Sequence, residues 1–357
     1  MAENEKLNSA EEYCKRGRLH AKKGDYDQAI ADYTQAIQLD PNNKEAYIGR
    51  GLAYGDKGRA EKAIEDFQLA SALDPNFPIP YSALGESYLK KGEYGLAIDN
   101  INRLIELMPN YAPAHDSLGE VYLKKGEYHL AIVAFNRAIE LDSNYAEAFR
   151  NLGLAHSGEG NHDQAIVNFN KAIHLDPNYA MAFYSLGDEY VKMGNDGQAL
   201  ENYTQVIKLN PKILICYISR GTLYNKIGSD YLNKGYNDQA AKNFDSAISD
   251  FTSVLDIFPD NTEVFSAEAY SNRGISYSFK KIFDKAIDDC TRAIDLAPNG
   301  LNWSFNRALA YFNRALVCYD KRDYFRAIDD FQSALSLNEN LPLAKKGLEM
   351  AQQKASG

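Results

Sequence analysis

A unit of 34 residues recurs along this chain, and that period limits what it can fold into more than any other feature. The stretch DYDQAIADYTQAIQLDPNN at 25–43 returns as NHDQAIVNFNKAIHLDPNY at 161–179, four periods later. Alanine at the twentieth place gives Ala29, Ala63, Ala97, Ala131, Ala165, Ala199, Ala247, Ala286 and Ala327, so nine units cover most of the 357 residues. Glycine holds the eighth place, as in Gly17, Gly51 and Gly274, with Ala315 in the last unit. Proline holds the thirty-second, replaced by Ser143 and Glu339 in two units. Repetition at this length means a row of like supersecondary elements rather than two or three separate domains.

Each unit reads as two short amphipathic helices. Gly24, Gly58, Gly92, Gly126, Gly160 and Gly194 fall at the fifteenth place, where glycine ends the first helix in the left-handed conformation, and the proline after LD or LN ends the second. Gly at place 8 and Ala at place 20 let the two helices approach closely. Large residues at places 4, 11 and 24, such as Tyr47, Tyr54 and Phe67, fill the space beside them. One hairpin of this size cannot bury its own apolar face, so neighbours must stack.

The pattern resembles the tetratricopeptide repeat family, over about residues 10–341. The resemblance implies an all-α fold: a right-handed superhelical solenoid of helix-turn-helix repeats whose first helices line a concave groove for peptides or protein segments. Two departures stand out. Arg16, Arg50, Arg220, Arg273 and Arg314 replace Leu at place 7, and His20, His156 and Cys318 replace Tyr at place 11.

The period divides the chain into a lead at 1–9, six regular units at 10–213, an extended hairpin at 214–261, two further units at 262–341 with insertions at 262–266 and 301–307, and a closing helix and tail at 342–357. Gly228 and Gly235 offer two turns seven residues apart, which predicts helices near 214–233 and 237–257. Adding seven residues to each helix is nearly two turns and keeps the apolar faces in phase. The only tryptophan, Trp303, lies in the last insertion. The stretch after Pro342 reads as a cap for the last apolar face.

Composition excludes several classes. With 39 Lys plus Arg against 49 Asp plus Glu, the net charge is −10, and no basic run is present for nucleic-acid phosphates. No apolar run is long enough to span a bilayer and the start carries no secretory leader, so no membrane insertion is expected and the cytoplasm is the expected compartment. Cys14, Cys216, Cys290 and Cys318 lack paired spacing and read as small hydrophobes. No catalytic or metal motif is found, and the six histidines occupy repeat places rather than one constellation. No cofactor, metal or enzymatic activity is expected.

The family resemblance draws the groove wall from places 2, 5, 9, 12 and 13 of the first helices. These places read Glu86, Asp116, Glu120 and Asp188 in the middle units, flanked by Lys90, Lys124, Lys192 and Lys226, with Arg150 and Tyr184 at place 5. Towards the C-terminus they become apolar, with Ile215, Ile218, Ile275, Leu309, Phe312 and Leu316. The carboxylate clamp of the chaperone-binding subset is absent: Cys14, Arg18, Gly49, Ile79 and Ala83 stand at its places. Of the asparagines that another subset uses at place 6, only Asn151, Asn272 and Asn313 match, the last two in adjacent units. The expected function is a scaffold or adaptor that holds a protein or peptide with basic and apolar segments. The alternative is a homo-oligomer assembled through the extended hairpin at 214–257.

Overall fold

The computed structural model describes residues 9–257, 264–296 and 304–356. The lead residues 1–8, Pro259, Pro298, the insertion residues 262–263 and 301–303 with Trp303, and Gly357 lie outside the described residues. Two compact units emerge, Met1–Pro177 and Asn178–Gly357. The division falls between the fifth and sixth repeats, where the 34-residue period runs on unchanged.

In the first unit five helix pairs follow one another: α1 (Ala10–Lys22) with α2 (Tyr26–Leu39), α3 (Lys44–Asp56) with α4 (Ala60–Leu73), α5 (Pro78–Lys91) with α6 (Tyr94–Leu107), α7 (Ala112–Lys125) with α8 (Tyr128–Leu141), and α9 (Ala146–Gly158) with α10 (His162–Leu175). In the second, α11 (Ala180–Lys192) pairs with α12 (Asp196–Leu209), α13 (Leu214–Asn233) with α14 (Asn237–Ile257), α15 (Val264–Phe279) with α16 (Phe283–Leu296), and α17 (Ser304–Asp320) with α18 (Tyr324–Leu337). A final helix, α19 (Pro342–Ala355), packs on α18. Within each unit the second helix of a pair also packs on the first helix of the next. Residues 264–266 and 304–307 lengthen α15 and α17 at their starts. The α13–α14 pair, at 20 and 21 residues, outruns the usual 13 or 14 by about 10 Å at 1.5 Å per residue.

The core repeats with the sequence. Phe135 and Phe169 are fully buried, and a side chain on Gly119 or Gly153 would run into their rings at 2.5–2.6 Å. Ala165 has no exposed surface beside Phe169, so Ala165→Leu is expected to cost about 1–3 kcal/mol by overpacking. A thermal melt matching the parent's would remove that contact.

Turn chemistry follows the same logic. Asp40 folds its carboxylate onto the Asn42 N–H at 3.0 Å, and Asp74 does the same for Asn76 at 3.1 Å. The two repeats without proline keep this turn, through Asp142 to Asn144 and Asn338 to Asn340, both at 3.0 Å, which is why Ser143 and Glu339 suffice there. After the first helices, Gly24 to Gly194 at the fifteenth place and Gly235 have φ of +71° to +82°. The eighth and ninth repeats hold the same conformation without glycine, at Lys281 (φ 58°) and Arg322 (φ 67°). A left-handed residue with a side chain costs about 1–2 kcal/mol. Arg322→Gly is therefore expected to raise stability by about 1 kcal/mol, read as a higher urea midpoint. A lower midpoint would show that the Arg322 side chain, not its backbone, governs the turn.

Candidate functional site

The arginines that replace Leu at place 7 are answered by aspartates at place 23. Arg50 grips Asp66 with Nε at 2.8 Å and Nη2 at 2.7 Å, and Arg16–Asp32, Arg220–Asp250, Arg273–Asp289 and Arg314–Asp330 repeat the two-pronged fork. All five aspartates are buried. Tyrosines at places 4 and 11 flank the guanidinium, with Tyr47 and Tyr54 at 5.7 and 6.0 Å from that of Arg50 and Tyr270 and Tyr277 at 5.4 and 6.0 Å from that of Arg273. The third nitrogen crosses to the preceding repeat: Nη1 of Arg50, Arg220, Arg273 and Arg314 donates to Thr34, Thr204, Thr252 and Thr291 at 2.9–3.2 Å. These partners were missed in the sequence, yet Asp stands at place 23 of the same unit for all five arginines, and Thr at place 25 of the preceding unit for four.

Of the expected binding residues in the first unit, α7 and α9 bring four together. Asp116 is buried and accepts from Asn151 Nδ2 at 3.2 and 3.3 Å, while Arg150 Nη1 donates to Asn151 Oδ1 at 3.2 Å. Burial pushes the Asp116 carboxyl up to about 7. Burial first and then Glu147, which sequence reasoning missed, raise Glu120, against the pull of Arg150 and Lys124. Because the folded value of Asp116 exceeds the usual 3.8, its contribution to stability is fully present below about pH 4 and is lost as pH rises through 7. Asp116→Asn is expected to melt above the parent at pH 8 and with it at pH 4; a constant difference would show that the carboxyl does not titrate in this range.

Elsewhere the expected acidic stripe and basic row partly cancel. Glu86 and Lys90 are an exposed pair on one helix at 2.6 Å. Lys226 turns to Asp196 at 2.7 Å, and Lys192 to buried Glu189 at 3.1 Å. Asp188 accepts from Tyr203 Oη at 2.6 Å, and Tyr184 Oη lies 3.0 Å from Ser219 Oγ. Burial raises Asp188 despite the hydroxyl.

Two cavities open on first-helix faces, one in each unit. In the first unit, about 660 Å³ lies over Cys14, Ile48, Leu52 and Ile79, with Arg18 and Lys22 on one side and Glu45 and Asp56 on the other. Sequence reasoning weighed several of these places only to dismiss a carboxylate clamp. In the second unit, about 440 Å³ is lined by Ile275, Phe279, Leu316 and Asn313, with Leu232 contributed by the lengthened end of α13 and Asp320 beside them. Burial raises the Asp320 carboxyl. Asn272 and Asn313 share a smaller recess of about 140 Å³, where Asn313 Nδ2 donates to Ser271 Oγ at 2.9 Å and the Asn272 carbonyl accepts from Asn225 and Ser276. Ile218 is buried in the core rather than on a wall, and the Phe312 ring lies 6.0 Å from that of Phe331 against the C-terminal cluster.

The lengthened hairpin is used within the chain: Phe244 stacks on Phe279 at 4.7 Å, and Lys280 pairs with Asp245. All four cysteines are buried free thiols, and burial pushes Cys216 and Cys290 up to about 12 and Cys318 to about 11, which keeps them protonated. Among the described residues no three His, Cys, Asp or Glu converge as metal ligands, and no helix is long and apolar enough to cross a membrane.

No curated protein matches the chain. Among solved structures it is similar to the crystal structure of MamA, at 34% identity over 48% of this chain and 94% of that one, with a TM-score of 0.43. It is also similar to YrrB, titled a TPR protein with an unusual peptide-binding site, at 27% identity over 52% and 95%, TM-score 0.39. A third is a thermophilic TPR protein of Thermus thermophilus, at 22% identity over 50% and 98%, TM-score 0.46. Family models described as TPR repeat match residues 17–58, 54–92 and 119–160, and those described as tetratricopeptide repeat match 146–179, 181–213, 267–299 and 308–341. With paired helices in series, small residues where they touch and family matches along most of its length, this chain belongs to the tetratricopeptide repeat family, whose stacks are scaffolds for protein interaction.

Proposed function

We propose that the chain is a non-enzymatic adaptor that seats a protein segment on the first-helix faces of its second unit, with apolar side chains in the cavity there and a basic one near its acidic edge. The observation that carries this reading is the cavity of about 440 Å³ in the second unit, where the inserted stretch of α13 brings Leu232 to a wall of Ile275, Phe279 and Leu316. Leu232 and Leu316 remain well exposed there. Such concave apolar sites with a few charged groups at the edge suit an anchor side chain and its neighbours. A basic residue beside Asp320, whose carboxyl is raised, would supply a counter-charge and draw it into the ionised form.

The test uses fluorescein-labelled twelve-residue peptides that combine Leu or Phe with Lys, titrated by anisotropy. Leu316→Glu is expected to weaken the best binder at least tenfold, and high salt to weaken it further. Equal affinity for parent and variant would remove the cavity from the reading. Glu120→Lys, at a half-buried position, tests the first unit separately: it should weaken any basic peptide bound there selectively.

A further inference from the structure

Four joints between successive repeats share one grammar, and α1 presents one half of it with the other half missing among the described residues. At two joints inside the units, places 3, 7 and 10 of the first helix face the second helix of the preceding repeat. At the α12–α13 joint these are Cys216, Arg220 and Leu223, met by Leu200, Thr204 and Ile207; at the α2–α3 joint they are Ala46, Arg50 and Ala53, met by Ile30, Thr34 and Ile37. The α14 and α16 helices carry the same series, Ile248, Thr252, Leu255 and Ile287, Thr291, Ile294. Every helix whose Thr bonds a place-7 arginine therefore reads I/L-x-x-x-T-x-x-I/L.

In α1 the corresponding residues are Glu12, Arg16 and Leu19. Leu19 is 58% exposed, whereas its counterparts Leu223 and Val317 are 3% and 1% exposed. The Arg16 side chain is 37% exposed against 14% for Arg314. Its Nε and Nη2 hold Asp32 at 2.9 and 2.6 Å, and among the described residues no hydroxyl meets its Nη1, the position that Thr fills at four other joints.

We infer that this edge of the first unit docks an amphipathic helix of a partner protein, carrying Thr between two aliphatic residues in the I/L-x-x-x-T-x-x-I/L series. The chain itself shows what covers such a face, four times over. The helix would bury Leu19 under its aliphatic pair and give its threonine hydroxyl to Arg16 Nη1, as in helix-in-groove recognition. Neither Arg16 nor Leu19 lines a cavity described above, although Cys14, Arg18, Ala21 and Lys22 of the same helix line the one in the first unit.

The probe is a side-chain-stapled helical peptide with the α12 sequence, DGQALENYTQVIKL, which supplies Leu200, Thr204 and Ile207. Titrated by anisotropy against the full chain, it is expected to bind saturably. Leu19→Glu should weaken binding at least tenfold with an unchanged melt, since Leu19 is exposed, and Thr204→Val in the probe should weaken it several-fold. Leu316→Glu in the protein should leave it unaltered, which separates this edge from the cavity reading. Equal affinity for parent and Leu19→Glu, or no saturable binding, would overturn the inference. So would concentration-dependent self-association that Leu19→Glu abolishes, which would give the edge to a second copy, and so would binding seen only after residues 2–8 are deleted, which would give it to this chain's own lead.

Discussion

Replacing Asp66 by alanine is expected to destabilise the first unit by about 3–5 kcal/mol, because the Arg50 guanidinium would be left between two tyrosines without its counter-charge. The effect should not equal the worth of the pair. The third, fifth and sixth repeats solve the same site with Leu84 and Asn100, Leu152 and Asn168, and Leu186 and Asn202. In each, the asparagine amide bonds a carbonyl four residues back at 2.8 Å. Combining Asp66→Asn with Arg50→Leu should therefore recover most of the loss, a non-additivity that a double-mutant cycle in urea reads directly. Thr34 would keep its bond to the Ile30 carbonyl at 2.7 Å. A cost below about 1 kcal/mol for the single substitution would place the fork among ordinary surface pairs.

The second large effect is expected at Phe251. Its ring is fully buried on Gly221, where a side chain would approach it to 2.8 Å, and it joins α13, α14 and α15 through a cluster with Leu214, Ile218, Val254 and Ala269. Phe251→Ala should cost about 3–5 kcal/mol, since helices held along 20 residues cannot close the void by a local shift. A loss under about 1.5 kcal/mol in a thermal or urea melt would mean that the long pair collapses around the gap.

The paired helices were legible because the period places small residues wherever backbones approach and large ones beside them. What escaped notice were relations between places. The place-7 arginines looked like departures from the family until the aspartates 16 residues on, or 30 in the long hairpin, came into contact with them. The expected charge stripe treated each residue alone, although Glu86 and Lys90 stand four apart on one helix and meet there. Asp116 is charged and stands at a place assigned to the groove wall, and only packing of α9 over α7 shows that it is buried with Asn151. Phe312 fits the apolar trend of its series, but the closing helix draws its repeat into a terminal core.

The forks are not spread evenly, and this has a mechanical consequence. Their cross-repeat bonds tie the first repeat to the second and the sixth through ninth in sequence, whereas Leu84, Leu118 and Leu152 give the third to fifth repeats no such tie. A linear array fails at its weakest seams. Under tension or partial denaturation, the opening should start among the aliphatic seams and leave the arginine-laced ends as intact blocks, so that amide exchange quickens first across α5 to α9.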